Sequence, residues 1–218
     1  MTQTGKISIR KYRPRDRHRV REICFATALG GDPLDDYFND PELFNDMLTL
    51  YYSDYEPESA FVAVSAGRTV GYLLGCADTA RYVRTMRVSI APAILKKMAR
   101  AEYNIDRKTA RYLRRHVLTM LRGEYLPPPL EIYPAHLHID IADGFRRMGA
   151  GGKLMNAFHE HLKKLGVRGV HLGTSSLHRM GVPFYDKLGY SVFSRTRATT
   201  WSGLMSRDVY NIIYVKRL

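Results

Sequence analysis

RRMGAGGKLM, residues 146–155, is a glycine-rich turn that runs straight into an apolar pattern of helical spacing, with Leu154, Phe158, Leu162 and Leu165 on one face. The first four N–H groups of a helix have no partner inside it and carry the positive end of its dipole. A glycine-lined entry lets a phosphate come close to them. Gly149, Ala150, Gly151 and Gly152 would form that cradle, with Arg146, Arg147 and Lys153 adding positive charge beside it. Spacing alone leaves open the plainer use of such glycines, tight packing of the helix. The stretch lacks the six-position dinucleotide fingerprint, and no Lys-Ser or Lys-Thr pair follows as a P-loop requires.

Working outward, AHLHIDI (135–141) alternates as a strand, with Leu137, Ile139 and Ile141 on one face and His136, His138 and Asp140 on the other. VRGVHL (167–172) predicts another strand, VPFYDKLGY (182–190) a short helix and its stop, and DVYNIIYVKRL (208–218) a final strand. KISIRKY (6–12) reads as the first strand. Asp16 stands where an N-cap would, before Val20, Ile23, Cys24 and Thr27 at helical spacing, and Gly30-Gly31 stops that run. A further helix is expected over 41–52. AFVAVSAGRTVGYLLGC (60–76) predicts a hairpin around Ala66-Gly67-Arg68. Helical stretches from 79 to 130 end in the breaker PPP, which predicts a mostly helical insert before the central strand. The order is mixed α/β, expected as one domain over 1–218, a length that supports one well-buried core.

The formal net charge is +13, and the two signs are segregated along the chain. Between Glu22 and Gly67 there are ten carboxylates and no Lys or Arg; between Ala80 and Arg122 there are twelve Lys or Arg against Glu102 and Asp106. Cys24 and Cys76 both sit in apolar runs, which favours buried, reduced thiols over a disulfide or a metal site. The basic N-terminal stretch has no apolar run behind it, and nothing approaches eighteen consecutive apolar residues. Neither a signal peptide nor a membrane partner is therefore expected. The expected location is cytoplasmic, with the nucleus left open.

The segment RRMGAG (146–151) resembles the Arg/Gln-x-x-Gly-x-Gly/Ala signature of the GNAT superfamily, the acetyl-CoA-dependent N-acetyltransferases. IRKYRPRDRHRVREIC (9–24) is similar to the first strand and helix of many bacterial-type members, and FVAV with TVGYLLG (61–64 and 69–75) to their central hairpin. FYDKLGY (184–190) is similar to the late helix that commonly carries a catalytic tyrosine. YPAHLHIDI (133–141) resembles a subgroup related in pattern to the acetyltransferase-like domain attached to some O-GlcNAc hydrolases. The likeness covers residues 7–78 and 131–215 and leaves the insert, 79–130, unexplained.

The resemblance implies a mixed sheet splayed near its centre and flanked by helices, with acetyl-CoA in the gap and no metal. The pyrophosphate would sit on N–H groups from Arg147 through Met148 and Gly149 to Gly152, beside Arg146 and Lys153, and the pantetheine arm would pair along Ile139 to Ile141. Family turnover is direct attack by an amine on the thioester carbonyl, with a backbone N–H of the splayed strand stabilising the oxyanion. Tyr185 would face the thioester sulfur as general acid. With reference pKa values of about 10 for Tyr and 8.5 for a thiol, full transfer is uphill by about 2 kcal/mol, so a hydrogen bond to the developing thiolate serves as well. The alternative is an aromatic packed beside Phe184 and Tyr190. Two departures stand out. His178 occupies the place of a common cofactor-contacting Asn, and Pro183 interrupts the late helix, which should start near Val182 with Pro in its first turn.

A Lys-like amine arrives protonated and needs a base. His138 is the first candidate, and Asp140 either orients a histidine or acts itself if burial raises its pKa. His136 and ordered water are further candidates. Otherwise the three side chains form a satisfied hydrogen-bond network, and a bulge in the strand would change which of them face the gap. The acidic stretch with Tyr51, Tyr52 and Tyr55 would suit a cationic acceptor, unless it is a solvated surface. The basic insert is a solvated face, a lid, a contact for the adenosine 3'-phosphate, or a dock for RNA or an acidic protein. Its sparse aromatics argue against a single-strand groove. Two functions follow: an N-acetyltransferase acting on a small amine or a protein amine, or a non-catalytic acyl-CoA-binding or interaction module whose insert docks nucleic acid or an acidic partner. Monomer and homodimer are both compatible with the sequence.

Overall fold

The structure is a computed structural model that describes residues 5–124, 126–178 and 181–218; the first four residues of the N-terminal stretch lie outside it. The chain forms β1 (Ser8–Lys11), α1 (Arg17–Ala26), α2 (Pro41–Leu50), β2 (Ala60–Ser65), β3 (Arg68–Cys76), α3 (Thr79–Thr85), α4 (Ala91–Ala99) and α5 (Arg107–Leu121). Then come β4 (Ala135–Ile141), α6 (Ala150–Lys164), β5 (Gly169–Ser175), α7 (Gly181–Lys187), β6 (Ser191–Arg197) and β7 (Tyr210–Arg217). The strands make one seven-stranded sheet in the order β1-β2-β3-β4-β5-β7-β6. Only the β4–β5 pair is parallel.

The β2–β3 hairpin turns through Ala66 and Gly67, whose φ values of 47° and 76° give the handedness that a two-residue turn needs. Arg68, expected in the turn, is the first residue of β3, and the rest of that strand is buried. The alternation of β4 divides the interior as expected. Leu137 packs with Leu73, Phe158 and Tyr214 beneath α6, while Tyr72, Leu74, Tyr51 and Tyr52 belong to the opposite core under α1 and α2. At Gly75 a Cβ would overlap the Phe158 ring, so α6 can lie this close to β3 only over glycine.

Three local expectations are corrected. Asp16 does not cap α1: its carboxylate turns back to Arg10 at 2.6 and 2.7 Å, to the Arg13 N–H at 2.9 Å and to the Thr69 hydroxyl at 3.1 Å, and so ties α1 to the sheet. Strand β6 was not anticipated, because nearly every residue in it is exposed and the sequence has no apolar face to reveal it. The helix expected over 41–52 ends at Leu50 and continues as a wider π-type turn, Tyr51–Tyr55.

The segregated charges meet in space. Asp46, 1 % exposed, accepts hydrogen bonds from Arg21 at 2.5 Å, Lys97 at 2.8 Å and the Tyr103 hydroxyl at 2.7 Å. Burial would raise this carboxyl, but those three donors outweigh it and hold it below the usual carboxylate range. Asp40 caps α2 through the Leu43 N–H and also takes the Asn104 N–H at 2.6 Å, while Lys108 reaches the Asp35 carbonyl. Asp40 and Asp46 are thus spent on fastening the helices that follow Cys76, while Asp32, Asp35, Asp36, Glu42, Asp54 and Glu58 keep exposed side chains, as a solvated acidic surface would.

Candidate active site

The parallel pair β4–β5 is joined only at Ala135 with Val170 and His136 with His171, although β4 runs on to Ile141 and β5 to Ser175. Beyond His136 the two strands separate. The Ala142 N–H donates to Val70 on the β3 side, so by strand alternation Ile139 and Ile141 point their N–H and C=O groups into the gap. The Ile141 carbonyl indeed accepts there from Arg146 Nε at 3.2 Å. Pairing of β4 with β3 is regular throughout, and the irregularities of the sheet fall at Ala63/Val64 and Val192/Ser194 instead. His138 and Asp140 thus keep the face that the alternation assigns them.

One mouth of the gap is a cavity of about 280 Å³ lined by the β4 edge, the glycine turn and α7. Gly149, with φ of 80°, introduces α6, and Arg147 also sits at a positive φ of 64°. A Cβ at Gly149 or Gly152 would meet nothing, so the glycines leave open space over the helix start, whereas Gly151 faces the Phe184 ring. Among the described residues, the N–H groups of Gly149, Ala150, Gly151 and Gly152 have no backbone acceptor. Ile139, Ile141, Arg146, Arg147, Gly149 to Gly152 and His178 all line this cavity. Met148 and Lys153 do not: Met148 faces outward, and the Lys153 ammonium donates to the Ile7 carbonyl at 3.1 Å. Arg146 lines the cavity, but its guanidinium is spent on the carbonyls of Ile141 and of Gly31, the latter at 2.6 Å, and staples the turn to the end of α1.

A second cavity of about 390 Å³ opens on the other side of the splay and shares Thr27, Ile139, Asp140, His178 and Tyr185 with the first. Tyr185 is 5 % exposed and packed against Phe184, Tyr190 and Tyr214. Burial, then the charge of Asp140, raises its phenol and keeps the proton on it. Asp140 accepts from the Tyr72 hydroxyl at 2.5 Å. Burial pushes its carboxyl up to about 7, against the hydrogen bonds from Tyr72 and Thr27 and the charge of Arg146.

His138 opens into the second cavity, its ring edge-on to Tyr52, and the surrounding protein lowers it to about 4. His136 is different. Tyr52 at 2.8 Å and Thr79 at 2.7 Å occupy both of its ring nitrogens, and burial holds it well below the usual imidazole range. With both nitrogens occupied it has none free toward the gap. Burial and Arg146 also lower His178, and burial pushes the Cys24 thiol up to about 12, where it is inert at neutral pH.

Sequence reasoning missed Tyr72, Phe44, Tyr112, His116, Trp201 and Asn211, which all line the second cavity. Tyr72 lies directly across from Asp140 in the β3–β4 register, a pairing that only the folded sheet supplies, while the i, i+4 spacing of Tyr112 and His116 on α5 is a signal the sequence carries without saying what they face. Nothing local announces Trp201, which ends a short 3₁₀ turn, Thr199–Trp201, far from the signature.

Residues 122–190, from the end of α5 through α7, match the Acetyltransferase (GNAT) family. The crystal structure of SsHAT is similar over 98 % of this chain and 98 % of its own, with 30 % sequence identity and a TM-score of 0.75. The chain belongs to the GNAT acetyltransferase family. Two more distant structures share the fold. The Drosophila melanogaster polyamine N-acetyltransferase, which catalyses the formation of N-acetylagmatine, is 18 % identical, with a TM-score of 0.62 over 98 % of this chain and all of its own. Ard1 from Thermoplasma volcanium is 18 % identical, with a TM-score of 0.54 over 97 % of each chain. In this GNAT chain the family match covers the gap-forming strands, the glycine turn and α7, while the wall of the second cavity comes partly from α1, α2 and α5. No helix among the described residues is long and apolar enough to cross a membrane.

Proposed function

We propose that the protein moves an acetyl group from acetyl-CoA to a small primary amine, by direct attack while both substrates are bound. The observation that carries this reading is the meeting of two cavities at Asp140 and Tyr185, one of them mouthed by the bare helix start at Gly149. Acetyl-CoA suits the first cavity: the open N–H groups of Gly149 to Gly152 and the helix dipole favour a pyrophosphate. The gap-facing groups of Ile139 and Ile141 offer a strand edge to the pantetheine amides, and His178 stands beside that path. The thioester supplies an activated acyl carbonyl.

Asp140 is assigned as the base in preference to His138. Asp140 lines both cavities whereas His138 lines only the second, and near pH 8 a carboxyl that titrates at about 7 is largely ionised yet basic enough to draw a proton from an ammonium. The step balances as follows: the C–N bond forms as the C–S bond breaks, the amine's surplus protons leave through Asp140 to water, and the sulfur departs toward the Tyr185 hydroxyl. A gap-facing N–H of β4 would steady the oxygen that gains charge. The small-amine acceptor is in line with the Drosophila neighbour, which acts on polyamines. The finer likeness to the domain attached to O-GlcNAc hydrolases rests on residues 133–141 alone. We take the whole chain as one domain, with the helices between 79 and 121 as part of its acceptor wall.

Calorimetric titration with acetyl-CoA, followed by a free-thiol assay across an amine panel, tests the reading. Binding with amine-dependent thiol release is expected. Binding without release from any amine would leave an acyl-CoA-binding module, and no binding would remove the proposed function altogether.

A further inference from the structure

The walls of the second cavity differ in kind from what a polycation needs. Phe44 and Leu48 come from α2, Tyr72 from β3, Tyr112 and His116 from α5, and Trp201 closes the set. The rings support one another: Tyr112 lies parallel to His116 with centroids 6.2 Å apart, and Trp201 meets Tyr112 at 5.8 Å and Tyr37 at 5.3 Å, both edge to face. The half-buried His116 is lowered by burial, His138 opens into the cavity, and neither imidazole offers an anion to a substrate. Asp140 is the one carboxylate among the described lining residues.

The surroundings point the same way. α5 carries Arg111, Arg114 and Arg115, and Arg115 is bound to the carbonyls of Thr200 and Ser202 on either side of Trp201. With the net charge of +13, a substrate with a second or third ammonium would approach against the field and find no second anion inside. A single ammonium at Asp140 with a flat apolar body against the rings meets neither cost. On the opposite arm of the splay, Asn211 of β7 is 5 % exposed, lines the cavity, and has a side-chain nitrogen without a hydrogen-bond partner among the described residues. A buried donor of that kind costs free energy until an acceptor reaches it.

We infer that the acceptor is an arylalkyl monoamine bearing an oxygen on its ring or at its far end: the ammonium meets Asp140, the ring packs against Tyr112 and Trp201, and the oxygen accepts from Asn211. This rests on the acetyl-transfer reading for its chemistry, in which the amine gives up a proton, gains the acyl carbon and releases the CoA thiol. It departs from the polyamine preference of the Drosophila neighbour. Asn211 is a specificity residue and takes no part in the bond changes.

Trp201 is the chain's only tryptophan and lies in this cavity, so its fluorescence reads occupancy without any turnover. The experiment titrates the full chain, with CoA present, with tyramine, phenethylamine, agmatine and spermidine, and measures thiol release from acetyl-CoA with the same four amines. Tyramine is expected to quench at the lowest concentration and to give kcat/KM at least about tenfold above agmatine and spermidine. Asn211→Leu should raise the KM for tyramine and leave that for phenethylamine within about twofold, a split that loss of folding would not produce. Quenching by the aryl amines without thiol release would support the pocket assignment and overturn the transferase reading. Thiol release favouring agmatine or spermidine, or fluorescence indifferent to aryl amines, would overturn the inference and leave the transferase reading standing.

Discussion

Asp140→Asn separates catalysis from stability with a sign that can be worked out beforehand. Burial raises the folded-state carboxyl from 3.8 to about 7, so the native protein holds that proton roughly a thousandfold more tightly than the unfolded chain, about 4 kcal/mol. For a raised carboxyl this contribution is fully present below the unfolded value and is lost as pH rises through about 7. Most of it survives at pH 5 and almost none at pH 8, so the wild-type protein should forfeit about 3 kcal/mol across that window on this group's account. Asparagine carries no charge at any of these pH values. Its oxygen can still accept from Tyr72, and losing the second acceptor costs about 1 kcal/mol. At pH 8 the variant should therefore be more stable than the wild type by about 3 kcal/mol, with the advantage gone near pH 5. Urea unfolding of both proteins at pH 5, 6, 7 and 8 measures this directly. In the same preparations, the wild-type kcat/KM should rise with a limb near pH 7 that the variant lacks, at much lower activity. Parallel urea-midpoint curves would refute a carboxyl raised by burial, and an unchanged pH limb in the variant would refute Asp140 as base.

Three further outcomes are expected. Tyr185→Phe should lower kcat by about a hundredfold while calorimetry finds the acetyl-CoA affinity nearly unchanged, because the lost hydroxyl acts only as the sulfur departs; equal loss of both would mark the tyrosine as structural. Gly149→Glu should abolish acetyl-CoA binding in a protein that still folds, with about 1–2 kcal/mol lost to the positive φ, and retained affinity would dismiss the phosphate cradle. His136→Phe takes one partner each from Tyr52, which keeps Tyr82, and from Thr79, which keeps the Pro134 carbonyl, and should cost about 1–2 kcal/mol in urea unfolding without moving the pH limb; a moved limb would mean that His136 takes part in proton transfer.

The cofactor half of the site was legible because its requirements are local. An open helix start needs glycine within a few residues, and a strand with one face toward a core needs alternation, so residues 135–155 announce themselves in a single window. The same window misleads about long cations: Arg146 and Lys153 look free beside the turn, but their side chains reach backbone carbonyls at Gly31 and Ile7, partners that only the folded chain supplies. The acceptor half was not legible. Its walls come from Phe44, Tyr72, Tyr112 and Trp201, residues spread over most of the chain, each of which reads locally as ordinary core. Strand β6 escaped for the opposite reason, since an exposed edge strand has no apolar period to detect.

The charge segregation contributes to how the acceptor wall is held. The basic segment 80–122 packs Ile90, Ile94 and Tyr103 into the core, with Met86, Met98 and Leu113 against it, while several other large apolar side chains remain in solvent. Beside that packing, contacts to the acidic stretch set its position: Asp46 with Lys97 and Tyr103, Asp40 with the Asn104 backbone, the Asp35 carbonyl with Lys108, and the Asn39 N–H on Thr109. The last three fall just before or in the first turn of α5 and fix its starting point. Thr119, at the other end, bonds Thr200 next to Trp201. With both ends fixed, Tyr112 and His116 between them are set facing the gap, and the acceptor cavity acquires a rigid aromatic side. On the proposed reading, the acceptor's shape is selected by a wall that polar contacts hold in place. Weakening Asp46 or Asp40 should loosen substrate selection before it affects the glycine turn.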